Sequence, residues 1–137
     1  MLRHAIISLG LAVSACAQGG GEAPEENAAA NGPASAATQR FANIAWALDD
    51  PAAAPGSFRI FLADGTLVMD SCFETYRIAE WRATGETTLI WTEDMAEIPA
   101  HIKDLTDEKL TLVLTLSNEE ATRTFSRIKG EMLCPAR

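Results

Sequence analysis

The sequence predicts an all-β domain over residues 39–137, a small antiparallel up-and-down barrel of about eight short strands. Three observations predict it. Apolar residues recur with a period of two, the spacing of a half-buried strand. Turn-forming pairs such as Asp64-Gly65 and Thr84-Gly85 punctuate these runs at short intervals. No amphipathic helical stretch exceeds about two turns. Closing such strands into a barrel removes the free edges that invite aggregation.

The first strand reads Ile44-x-Trp46-x-Leu48, and residues 49–56, with two prolines, make a loop. Residues 57–70 then form a hairpin about Asp64-Gly65, because a type I′ turn needs positive φ at both central residues. A two-residue turn sets Ala63 opposite Thr66, Leu62 opposite Leu67, Phe61 opposite Val68, Ile60 opposite Met69 and Arg59 opposite Asp70. Phe58, Ile60, Leu62, Leu67 and Met69 then share the core face. Arg59 and Asp70 pair on the other face. Phe61 and Val68 form a small apolar patch beside them, a candidate partner surface.

A fourth strand spans residues 74–82 with Tyr76, Ile78 and Trp81, and a fifth spans 87–93 with Leu89, Ile90 and Trp91. Residues 93–103 admit a short helix before Pro99. Otherwise the proline makes the strand at 98–105 an edge, or delays its start. Leu110, Leu112, Leu114 and Leu116 give the clearest alternation in the chain. Residues 120–129 complete the set, with Phe125 and Ile128 prominent, and residues 132–135 form a tail.

Ahead of the domain, Arg3 and His4 precede an apolar run over residues 5–13, which Val13-Ser14-Ala15-Cys16 closes. A positive start, a short apolar run and small residues make an export signal over residues 1–15. It is shorter than the roughly 20 apolar residues that span a bilayer. Val13-Ser14-Ala15-Cys16 resembles the lipobox of bacterial lipoproteins. The resemblance implies cleavage before Cys16, lipid on its thiol and often an acylated amine. Ala17 stands where aspartate favours inner-membrane retention in Gram-negative lipoproteins, which points to the outer membrane, facing the periplasm. Residues 16–38 are then the lipidated cysteine and a Gly/Ala/Pro/Asn-rich linker, without aromatic or large aliphatic side chains. As a flexible coil it reaches on the order of 25 Å. A short helix over residues 25–30 is the competing reading.

Loss of Arg3 with the signal takes the formal charge from −8 to −9. An acidic chain lacks the basic surface that binds nucleic acid, and anionic head groups repel it. Membrane association then rests on the acyl chains at Cys16, since stable anchoring takes two or more. Cys72 and Cys134 remain as an even pair in an exported chain, where disulfides persist. The alternatives are free thiols or a metal site with His101, whose surroundings lack closed-site ligand spacing, so no metal and no cofactor are expected.

Catalytic residues are not expected either. His101 is the sole histidine after processing, it stands in a polar strand-like stretch, and no Gly-x-Ser-x-Gly elbow accompanies it. The acidic pairs Asp49-Asp50, Glu93-Asp94, Asp107-Glu108 and Glu119-Glu120 fall at turns, where carboxylates favour the turn itself. Trp46, Tyr76 and Trp91 are the candidate lining of an apolar ligand pocket; the competing reading is that the aromatics form the core.

In order, Trp46, Phe58-x-Ile60, Ala63-Asp64-Gly65-Thr66, Tyr76-x-Ile78, Leu89-x-Trp91, Ile102-x-x-Leu105-Thr106, Leu110-x-Leu112 and Phe125-Ser126-Arg127 resemble the small lipocalin-like domains of bacterial lipoproteins. Ile44 replaces the glycine usual two residues before the tryptophan. The resemblance implies a non-enzymatic envelope domain that binds a small apolar ligand or an envelope protein. The alternative is an inhibitor or accessory protein of an envelope enzyme, acting through its loops without an internal ligand.

Overall fold

A computed structural model describes residues 36–117 and 119–136, which fall within one compact unit, Asn31–Arg137. The expected signal, Cys16, the expected linker up to residue 35 and the alternative helix at 25–30 lie outside the described residues. The described residues open with about one and a half helical turns, α1 (Ala36–Phe41). Eight strands follow: β1 (Ala45–Leu48), β2 (Phe58–Phe61), β3 (Thr66–Asp70), β4 (Arg77–Ala83), β5 (Thr88–Glu93), β6 (Ala96–Leu105), β7 (Lys109–Leu116) and β8 (Glu119–Arg127). Each pairs antiparallel with the next, and β8 pairs with β1, so the sheet is a closed up-and-down barrel.

Eight strands enclose a space that side chains can fill. Here Trp46, Phe61, Leu67, Met69, Trp81, Leu89, Trp91, Ala100, Leu110, Leu112, Leu114 and Phe125 fill it, with Phe41 of α1 added at one end. The β7 alternation reads through directly, with all three of Leu110, Leu112 and Leu114 buried.

The β2–β3 hairpin corrects the expected register by one residue. Phe61 faces Leu67, Ile60 faces Val68, Arg59 faces Met69 and Phe58 faces Asp70. The reason is the turn. Gly65 has φ +92° and Asp64 is not in the left-handed region, so this is not a type I′ turn. Gly65 N–H donates to the Leu62 carbonyl at 3.1 Å, and Leu62 N–H donates to Thr66 at 2.8 Å. The loop therefore has three residues, a type I turn followed by a left-handed glycine. Thr66 N–H also donates to the Asp64 carboxylate at 2.9 Å and holds its pKa below the ordinary aspartate value.

The slip exchanges the faces of β2 alone, while Leu67 and Met69 of β3 are buried as expected. Phe61 is fully buried, so the expected patch of Phe61 and Val68 does not form. Arg59 turns inward, and the expected Arg59–Asp70 pair is absent. Gly65→Ala should lower stability by about 1–2 kcal/mol in chemical denaturation, because alanine resists positive φ and its Cβ would lie 3.3 Å from the Trp81 carbonyl. An unchanged midpoint would contradict this turn assignment.

Two further expectations are corrected. Residues 96–105 are one continuous strand, and no helix forms before Pro99. β6 is an interior strand, with Pro99 opposite Ile90 of β5, while pairing to β7 begins at Ala100 and Leu114. Ile102 N–H points to Thr87, so alternation turns position 99 toward β7, beyond that ladder, where no donor is needed. α1 spans residues 38 and 39, and its Thr38 and Phe41 are buried.

Candidate functional site

An up-and-down barrel has two ends, and alternate connections share an end. At the first end α1 acts as a plug. The Phe41 ring packs against Phe61 and Trp81, each at 5.4 Å between centroids. Trp46 Nε1 donates to the Phe41 carbonyl at 3.0 Å, and Asn43 N–H donates to the Phe61 carbonyl at 2.8 Å. Arg40 reaches the Leu105 carbonyl at 3.2 Å.

The second end, the mouth, carries the connections 49–57, 71–76, 94–95 and 117–118. Here alternation continues inward past the aromatics and meets charge. Arg59 lies two residues before Phe61, Glu93 two after Trp91, and Arg123 two before Phe125; Arg77 is in phase with Ala79 and Trp81. Glu93 gathers the group. It accepts from Arg59 at 3.4 Å, from Arg77 at 3.0 Å and from Trp91 Nε1 at 3.2 Å. Arg77 also lies 3.7 Å from Asp94.

Arg59 is the most enclosed of these, with its side chain 18% exposed. Its guanidinium stands over the rings of Trp91 and Phe125, at 5.1 and 5.9 Å. Burial pushes its pKa down; Glu93 opposes that, and Arg77 and Arg123 add to it. Its Nη1 is buried and has no hydrogen-bond partner among the described residues. An aromatic face compensates charge but does not replace a hydrogen-bond acceptor. A concavity of about 160 Å³ opens beside Arg59 and Arg77, edged by Ser57, Asp70, Glu74 and Thr75.

Cys72 and Cys134 form the disulfide, with Cα atoms 5.4 Å apart. It ties the tail to the mouth. Ile128 N–H donates to Ala45 near the plugged end, while Met132 and Cys72 crowd Gly56 in the β1–β2 loop. Residues 128–134 therefore run back along the wall from one end to the other. Four of the exposed large apolar residues belong to the mouth: Phe73, Tyr76 (59% exposed), Met95 (99%) and Leu133 (82%). Asp94 and Met95 both have positive φ, the geometry of a tight hairpin turn normally built with glycine or asparagine.

The expected ligand pocket of Trp46, Tyr76 and Trp91 is corrected. Trp46 and Trp91 are in the core, while Tyr76 sits outside β4 on the rim. Neither concavity described at the barrel is lined by any of the three. His101 is exposed on β6, between Thr88 and Val113, beside a shallow concavity of about 300 Å³. No group of three or more metal-ligating side chains occurs among the described residues.

Sequence reasoning missed the Arg59–Arg77–Glu93 cluster. A usable signal was present: Trp91-x-Glu93 and Arg123-x-Phe125 place charge in phase with a large aromatic at a strand end. No protein-family model, curated protein or solved structure matches this chain.

Proposed function

We propose that the chain is a lipid-anchored envelope lipoprotein, held at Cys16 in the outer membrane and facing the periplasm. Its barrel is a non-enzymatic accessory domain that binds an envelope protein through the mouth. The lipobox-like Val13-Ser14-Ala15-Cys16 supports the anchor, and the Cys72–Cys134 disulfide supports an oxidising compartment. One observation carries the binding reading: the barrel is filled, while exposed Phe73, Tyr76, Met95 and Leu133 gather at one end. A filled interior disfavours the enclosed apolar ligand, and a cluster of exposed apolar side chains favours a docking surface. Among the described residues α1 lies at the end opposite the mouth.

A photo-reactive amino acid at position 95 or 133 in cells should give protein adducts, and one at position 108, near the plugged end, should give none. Adducts from position 108 alone would reverse the assignment. Cys16→Ser should remove the acyl mass and move the protein from the membrane to the soluble fraction. Recovery of the unaltered chain as soluble protein would end the anchor reading.

A further inference from the structure

The 160 Å³ concavity at the mouth is separable from the apolar rim, and its lining is amphoteric. Two guanidiniums, Arg59 and Arg77, stand on one side of the charge balance; two carboxylates, Asp70 and Glu74, stand on the other. Arg59 carries a buried donor without an acceptor. Arg77 is more than half exposed, and its ties to Glu93 and Asp94 use only part of its five-donor fork. Ser71 engages one oxygen each of Asp70 and Glu74, at 2.7 and 3.1 Å. A carboxylate can accept about four hydrogen bonds, so both keep capacity for an ammonium group. The Ser57 and Thr75 side chains add neutral polar edges.

A dianion such as phosphate would meet Asp70, Glu74 and Glu93 as well as the arginines. A simple cation would meet Arg59, Arg77 and Arg123. A ligand carrying one charge of each sign, a few ångströms apart, sets its ammonium against Asp70 and Glu74 while its carboxylate meets the arginines, which leaves Glu93, already held by both arginines, as the one like charge beside it. The volume is several times the ~30 Å³ of one water in the liquid, which admits a small molecule but excludes a chain segment.

We propose that the mouth pocket binds a small zwitterion of the α-amino-acid class, with its carboxylate at Arg59 and Arg77 and its ammonium at Asp70 and Glu74. This goes beyond protein docking at the rim and stands or falls without it. The carboxylate offers acceptors to the Arg59 and Arg77 guanidiniums that edge the concavity, and charge assistance makes such bonds stronger than neutral ones.

The test is titration of the mature chain with L-alanine, followed by amide chemical shifts. N-acetylalanine, which keeps only the carboxylate, and alaninamide, which keeps only the ammonium, serve as controls. Saturable shifts are expected at residues 57–59 and 69–77, with a dissociation constant of ~1 mM or below. Each control should bind at least about tenfold more weakly, a loss of ~1.4 kcal/mol. Arg77→Gln and Glu74→Gln are exposed changes that leave the barrel folded, verified by an unchanged melting temperature, and each should weaken L-alanine binding about tenfold. Equal affinity for L-alanine and N-acetylalanine would overturn the zwitterion assignment, leaving a plain anion site. Absence of saturable shifts at ~10 mM would overturn the site itself. Binding of L-alanine with no adducts from positions 95 and 133 would remove the docking reading and keep this one.

Discussion

Reduction of the protein, or paired Cys72→Ser and Cys134→Ser substitution, should lower the unfolding free energy by about 4 kcal/mol. The two cysteines are 62 residues apart, and the chain between them includes β4 to β8. Cross-linking a loop of that length removes about 4 kcal/mol of conformational freedom from the unfolded chain. For a domain of this size the melting temperature should fall by roughly 15 °C or more. The barrel should survive, because the β1–β8 ladder that closes it involves none of the tail. The mouth should not stay intact. The Cys72 amide, which donates to Pro55 at 2.9 Å, should exchange faster with solvent once the tail is released. A melting temperature unchanged by reductant would show that the tail contributes nothing to stability.

Phe41→Ala is the second large effect, at about 3–5 kcal/mol in denaturant unfolding. Phe41 is 1% exposed and lies against two aromatic rings that themselves pack edge-on at 5.4 Å. Removing it leaves a cavity at the plugged end, lined by Phe61 and Trp81, which the closed sheet cannot collapse to fill. The Trp46 hydrogen bond goes to a main-chain carbonyl and stays available, so the loss should be one of packing. Tyr76→Ala, on the rim, should change stability by about 0.5 kcal/mol or less. Equal effects at 41 and 76 would mean that α1 is not a plug.

Both results turn on features that the sequence revealed to different degrees. The disulfide followed from counting: two cysteines remained in a chain read as exported. The plug did not, because α1 is only six residues, Ala36–Phe41. So short a helix carries no periodic signal and is stable only through what it packs against. The hairpin shows the same limit more sharply. Asp64-Gly65 marked a turn, but two loop lengths share that signature, and they differ by one residue of register. That residue decided whether Phe61 or Ile60 faced the core, and it carried Arg59 inward.

Alternation and turn residues by themselves determined that the domain is all-β, that it has about eight strands, and that β7 turns its leucines inward. They could do so because hydrophobic period and turn chemistry are local properties. The phase between strands is not local, and neither is closure. Only the tertiary structure decided that β1 meets β8, that Pro99 belongs to an interior strand, and that Arg59, Arg77 and Glu93 meet inside the mouth. Those three residues come from β2, β4 and β5, and no spacing along the chain relates them. Barrel curvature brings them together, and Arg59, enclosed with Trp91 and Phe125, must find its partner there rather than in water.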